Sequence, residues 1–231
     1  METSVNQQVR ERLRAVGLSE FGSVDTWLEL LHEFGFNDEQ RHELPQEVWT
    51  ARGMGLRIWQ YPNQFAPYMA WLCSQASSIG SYLEIGTRHG GTFITHVETL
   101  RRLNPGFDRA VAVDLMEQPA VLAPYEYRQQ DSQSAGFLDW VGGQTFDLVF
   151  IDGDHSYAAV RRDAESTFAR CNIQVLHDIT SDICPGVGTY WREYKQQNGV
   201  THDFQEFTDQ YESVNGSFLG IGVARRRDWI E

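Results

Sequence analysis

Two apolar runs in the second half of this chain end in residues that can hold a cation or move a proton. The run over 146–151 closes on Asp152, Asp154 and His155 in FDLVFIDGDHSY, and the next, over 173–176, closes on His177 and Asp178 in VLHDIT. In open α/β sheets, ligands bind outside the carboxyl ends of the strands, which is where these residues fall. Carboxylates closing adjacent strands repel each other unless a cation lies between them or one stays protonated. Histidine, with an unperturbed pKa of about 6.5, is suited to accepting a proton near neutrality. Asp and Gly are also favoured turn and cap residues, and Asp154 reads equally well as a helix cap.

A second constellation lies upstream. In YLEIGTRHGGTF, over 82–93, an apolar strand carries Glu84 near its end, a turn holds Gly86, Gly90 and Gly91, and a helical pattern follows. Glycine lets backbone approach a ligand closely and adopt φ > 0. The next strand, AVAVDL, brings Asp114 to its end, where a carboxylate accepts hydrogen bonds from ribose hydroxyls. Together these predict a bound nucleoside-bearing molecule. A dinucleotide fingerprint needs a glycine two residues after Gly86, and Arg88 stands there, which argues against a nicotinamide-dependent oxidoreductase. No G-x-S-x-G elbow occurs, which argues against a serine hydrolase.

The turn Glu84-x-Gly86-x-x-x-Gly90-x-Thr92, followed by Asp114, by Asp131 and Ser132 in RQQDSQS, and by the Asp152-x-Asp154 strand end, resembles class I S-adenosylmethionine-dependent methyltransferases. The likeness covers roughly residues 80 to 180 and is greatest to the catechol and caffeoyl-CoA O-methyltransferase type. CPGVGTYWREYK and FLGIGVARR in the tail resemble the last helix and strand of the cephalosporin hydroxylase and rhamnosyl O-methyltransferase group. The resemblance implies S-adenosylmethionine as cofactor, contacted by Glu84, Gly86, Thr87, Gly90, Thr92, Asp114, Asp131, Ser132 and Asp152. It further implies a Mg²⁺ or Mn²⁺ site at Asp152, His177 and Asp178. A histidine in that set departs from the all-oxygen preference of Mg²⁺ and favours a more nitrogen-tolerant ion. His155 stands where caffeoyl-CoA-type enzymes carry a lysine base, so His155 and Asp152 are the implied catalytic residues. A second departure is Cys171-Asn172, where such chains usually carry Pro-Gly-Gly before strand five. The implied activity is O-methylation of a hydroxyl on a small molecule such as a sugar, polyketide or catechol-like diol. The alternative is a non-catalytic cofactor- or partner-binding protein on the same fold, against which the set Asp152, His155 and Asp178 argues.

Composition narrows the classes further. The 231 residues carry a formal net charge of −13 with only 19 Lys plus Arg, which disfavours nucleic acid as substrate. Cys73, Cys171 and Cys184 lack metal-ligand spacing, and their odd number predicts reduced thiols and a cytoplasmic location. METSVNQQVRER has no apolar stretch and reads as neither signal peptide nor membrane anchor.

Positioning these residues requires alternating strands and helices from Ser81 onward, hence a parallel sheet covered on both faces. The expected fold is α/β, Rossmann-like, with a seven-stranded, mostly parallel sheet whose last pair is antiparallel, as the resemblance implies. Residues 1–75 read as an N-terminal helical cap and 76–231 as the cofactor-binding domain. Val5, Val9, Leu13 and Val16 predict one helix; Val24, Trp27, Leu28 and Leu31 predict the buried stripe of the next. Pro62 and Pro67 are expected to break an aromatic segment into a turn and a helix, and a helix around 190–196 is expected before a final strand pair over 203–207 and 218–224. Trp59, Gln60 and Tyr61 lie near enough to reach the site. The aromatic-rich first third makes a homodimer plausible.

Overall fold

A computed structural model describes residues 4–37, 52–212, 214 and 216–229. Its sheet has seven strands: β1 (Ser81–Ile85), β2 (Arg109–Asp114), β3 (Glu126–Gln129), β4 (Phe146–Ile151), β5 (Cys171–His177), β6 (His202–Phe207) and β7 (Ile221–Arg226). They lie in the order β3-β2-β1-β4-β5-β7-β6. The first five pair in parallel, while β7 runs antiparallel to both β5 and β6. The order reverses between β1 and β4, so a crevice opens at the carboxyl ends of those two strands.

Helices α1 (Ser4–Ala15), α2 (Val24–Phe34), α3 (Pro62–Gln75) and α4 (Gly91–Leu103) cover one face of the sheet; α5 (Ala135–Gly142), α6 (Tyr157–Phe168) and α7 (Pro185–Asn198) cover the other. Successive strand residues point to opposite faces. Tyr82, Phe150, Val175 and Val223 therefore join the core beneath α1–α4, while Leu83, Val149, Leu176 and Ala224 join the one beneath α5–α7. Because both faces are covered, β1, β4 and β5 read as nearly unbroken apolar runs.

Four local expectations differ from the structure. The buried stripe of α2 is Trp27, Leu30, Leu31 and Phe34, and Val24 is exposed. That stripe packs against α3, and the Trp27 indole in it donates to the Phe21 carbonyl (2.9 Å). Pro62 begins α3, as a first-turn proline can, but Pro67 lies inside the helix without ending it. β7 starts at Ile221 rather than Phe218. Leu219 and Gly220 take positive φ (53° and 97°), and Gly220 N–H donates to Gln64 Oε1 of α3 (3.0 Å). α7 extends past the expected 190–196, because Val187, Tyr190, Trp191 and Tyr194 give it a continuous buried stripe. Of the expected cap, residues 1–3 and 38–51 lie outside the described residues. Among the described residues, no helix is long and apolar enough to cross a membrane.

Candidate active site

A cavity of about 750 Å³ opens at the carboxyl ends of the central strands. Its wall includes Gly86, Asp114, Asp131, Ser132, Asp152, His155, His177 and Asp178, so one space joins most of the residues singled out in the sequence.

The glycine turn is shaped by packing as much as by any ligand. Gly86 has φ +87°, and a Cβ there would lie 2.0 Å from the Asp152 carbonyl oxygen. The turn after β1 thus sits directly on the end of β4. Asp114 Oδ2 accepts from Arg88 N–H (2.6 Å) and Oδ1 from Met116 N–H (2.9 Å), so this carboxylate holds both turns that flank it. Asp131 Oδ1 accepts from Gln133 N–H (2.8 Å), a local Asx turn that leaves the residue exposed at the cavity edge.

Glu84, Thr87, Gly90 and Thr92 do not line the cavity. Glu84 shares the face of Tyr82, so it points beneath α4, accepts from the Tyr82 hydroxyl, and lies 3.7 Å from His96 Nδ1. Burial, opposed by that hydrogen bond, pushes its carboxyl well above the usual range, while burial holds His96 neutral with a pKa of about 3. The Thr87 hydroxyl donates to the Val113 carbonyl of β2 (3.3 Å). His89 also lies off the cavity wall; it stacks on Trp59, with ring centroids 6.2 Å apart, and sits 3.1 Å from Arg57 Nη2.

At the other end, β4 and β5 bring two acids and two histidines together. His155 Nε2 lies 2.7 Å from Asp178 Oδ2 and 3.5 Å from Asp152 Oδ1. His177 Nδ1 lies 3.1 Å from Asp152 Oδ1 and 3.2 Å from Asp178 Oδ2. Asp178 adopts a left-handed backbone (φ 63°) immediately after β5. Such a conformation in a non-glycine residue persists only where surrounding structure enforces it, and it clusters at functional sites.

The electrostatics follow from this packing. Hydrogen bonds to Asp152 and Asp178 raise His155 to about 10. Burial would lower His177, but the two carboxylates outweigh it and raise it likewise to about 10. Both acids, despite burial, are held below their usual range by the imidazoles. The histidines thus supply the positive charge that the two carboxylates require. His155 is the accessible member, with its side chain 42% exposed against 3% for His177.

Ligand atoms of Asp152, His177 and Asp178 all lie within 4.8 Å of one another, as do those of His155, Asp178 and Cys184. Two carboxylates and an imidazole suit a divalent ion that tolerates nitrogen better than Mg²⁺ does. Asp154 accepts from Ser156 N–H (2.7 Å) in a local turn at the cavity wall, while Ser156 is the residue that caps α6. Cys73, Cys171 and Cys184 are free thiols.

Of the residues expected to reach the site, Trp59 lines the cavity and Gln60 touches Asp152 from behind it, whereas Ile183, Phe218, Leu219 and Gln133 carried little signal in the sequence. Gln60, wholly buried, donates from Nε2 to Asp152 Oδ2 (3.3 Å) and so ties the segment before α3 to the acid cluster. Trp59, Ile183, Phe218 and Leu219 add apolar surface around the acid–histidine end, and Gln133 lines the opposite end. Proximity in sequence to Asp131 and Ser132 is the one cue that marks Gln133.

The topology is that of the class I S-adenosylmethionine-dependent methyltransferases. Residues 83–179 match the family model described as a methyltransferase domain. No curated protein matches the chain by sequence. Among solved structures, it resembles MycE, a methyltransferase of the mycinamycin biosynthetic pathway solved with Mg, S-adenosylhomocysteine and mycinamycin VI. The two are 18% identical over 72% of this chain and 51% of that one, with a TM-score of 0.50. The chain therefore spans about half the length of MycE. It also resembles a Staphylococcus aureus protein with a proposed caffeoyl-CoA O-methyltransferase assignment, at 12% identity over 82% of this chain and 96% of that one, with a TM-score of 0.51. A third is an O-methyltransferase from Bacillus cereus solved with S-adenosylhomocysteine, at 16% identity over 97% of this chain and 98% of that one, with a TM-score of 0.49.

Proposed function

We propose that this chain transfers the methyl group of S-adenosylmethionine to a hydroxyl of a small molecule. The observation that carries the reading is a cavity that runs from the Gly86 turn, Asp114 and Ser132 to the cluster of Asp152, His155, His177 and Asp178. In this reading the nucleoside lies along the first three, with the ribose at Asp114 and the base beside Asp131 and Ser132. The methyl then points at the acid–histidine cluster. Glu84, Thr87, Gly90 and Thr92 shape the turn from behind instead of touching the cofactor.

Asp152, His177 and Asp178 are the residues that would hold a divalent cation, with Mn²⁺ favoured over Mg²⁺ by the imidazole. When bound, such a cation neutralises the two carboxylates and lowers the pKa of an acceptor hydroxyl. With a cation taking over the two carboxylates, His155 would lose the ion pairs that keep it protonated, and its Nε2 would then be the atom to take the hydroxyl proton. The acceptor oxygen forms the new C–O bond as the sulfonium C–S bond breaks, leaving S-adenosylhomocysteine. The protein contributes alignment, because Gln60 holds Asp152 and the apolar wall of Trp59, Ile183 and Phe218 seats the acceptor body.

The first 75 residues act as a cap that supplies Trp59 and Gln60 to the second unit, residues 76–231. A small-molecule acceptor, a cytoplasmic location and assembly as a homodimer complete the proposal. It is tested by incubating purified protein with S-adenosylmethionine and a panel of hydroxylated acceptors after chelation, with and without Mg²⁺ or Mn²⁺. Methylated product is the expected result, and cation-dependent product supports the metal assignment. Full activity after exhaustive chelation contradicts that assignment.

A further inference from the structure

The side-chain amide of Gln133 sits among acceptors. Its Nε2 lies 2.8 Å from Asp163 Oδ1, 3.1 Å from Ser132 Oγ and 3.4 Å from the Ala159 carbonyl. The Ala159 carbonyl offers no proton at any pH, and Asp163 offers none once ionised, so the NH₂ group faces them. The carbonyl oxygen of Gln133 is then the atom left for the cavity that this residue lines.

Asp163, on the inner face of α6, is wholly buried, and its second oxygen has no partner among the described residues. That oxygen lies 3.5 Å from where a Cβ on Gly153 would stand, and Gly153 is itself part of the cavity wall. A buried acid is costly unless its hydrogen bonds serve some purpose. Here it lies behind Gly153 and Gln133, which do line the cavity.

We infer that Asp163 is a positioning residue that locks the Gln133 amide with its carbonyl toward the cavity, and so selects a 6-amino purine over a 6-oxo purine in the bound nucleoside. The inference rests on the cofactor reading above. An inward carbonyl accepts from the exocyclic amino group of adenine. It repels the keto oxygen of hypoxanthine, which only a reversed amide welcomes. Asp163 touches no ligand; it acts through Gln133.

The test is calorimetric titration of the full chain with S-adenosylhomocysteine and with S-inosylhomocysteine, its deaminated counterpart. Wild-type protein is expected to prefer the amino compound by about tenfold or more, as a site with a committed acceptor does. Asp163→Asn offers a donor as well as an acceptor, so the Gln133 amide loses its fixed sense and the preference falls several-fold. Gln133→Leu should reduce the preference as well, and adding Asp163→Asn to it should change the ratio no further. If the Asn variant does not fold, Asp163→Ser takes its place.

A merely structural role for Asp163 shifts both affinities together and leaves their ratio unchanged, which overturns the inference. A further fall in the ratio in the Gln133→Leu background overturns it too. Wild-type protein that binds S-adenosylhomocysteine without preference defeats this inference and spares the cofactor reading. Wild-type protein that binds neither compound defeats both.

Discussion

Asp152 has both carboxylate oxygens engaged, and its neighbours define what His155 can do. Gln60 holds Oδ2, while His177 and His155 approach Oδ1. His155 alone of the two imidazoles is open to an acceptor. His155→Ala should therefore leave S-adenosylhomocysteine affinity within about twofold while lowering turnover by roughly 10²–10⁴. Calorimetry and steady-state rates with a competent acceptor check both halves, and unchanged turnover returns His155 to a structural role. The strand-end residues were legible in the sequence because a parallel sheet delivers its strand ends to one side. Glu84 was not, since its role depends on which face of β1 it occupies. With both faces of β1 covered, the apolar run hides the alternation that sends Tyr82 and Glu84 one way and Leu83 and Ile85 the other. Asp163 was illegible for another reason: its contact with Gln133 spans a long sequence separation, and it belongs to no motif.

Between β1 and α4, the turn depends on close backbone contact. Gly86→Ala places a Cβ against the Asp152 carbonyl in a left-handed backbone, so it should destabilise the fold by about 2 kcal/mol or more. Urea melting measures this, and a change under about 0.5 kcal/mol would show that β4 yields to the added methyl. The sequence predicted the order of strands and helices from Ser81 onward, because period and glycine placement are local properties. It misjudged the inner stripe of α2 and the start of β7. The packing of α2 against α3 and the contact of Gln64 with Gly220 decide those, and both are tertiary.

Over the whole molecule, two buried acids act on stability with opposite signs. Glu98 is buried, yet paired with Arg10 (2.8 Å) and the Tyr125 hydroxyl (2.5 Å), which together hold it below the usual glutamate range. Its stabilisation of the α1–α4 contact is present above its unfolded pKa and is lost as pH falls through the folded value. Burial raises Asp163 to about 7, against hydrogen bonds from Ser132 and Gln133. Its contribution is full below the unfolded aspartate pKa and is lost as pH rises through about 7. Asp163→Asn should thus gain on wild type as pH rises from about 4 to about 7, by ~1–3 kcal/mol, then hold that margin. Glu98→Gln should lose most at neutral pH and least in acid. Denaturant melts across this range check both, and parallel curves for wild type and the Asp163 variant would contradict the assigned sign.

The cavity was assigned to an S-adenosyl cofactor because one wall holds the Gly86 turn, Asp114 and Ser132 in line with the acid–histidine cluster. The most direct test is calorimetric titration of the full chain with S-adenosylhomocysteine, alongside NAD and an Asp114→Ala variant. One-site binding of S-adenosylhomocysteine and none of NAD is the expected result. The variant should bind more weakly by about 1.5–3 kcal/mol, the worth of a charged hydrogen-bond partner. Binding of NAD without S-adenosylhomocysteine, or equal affinity in the variant, would contradict the assignment.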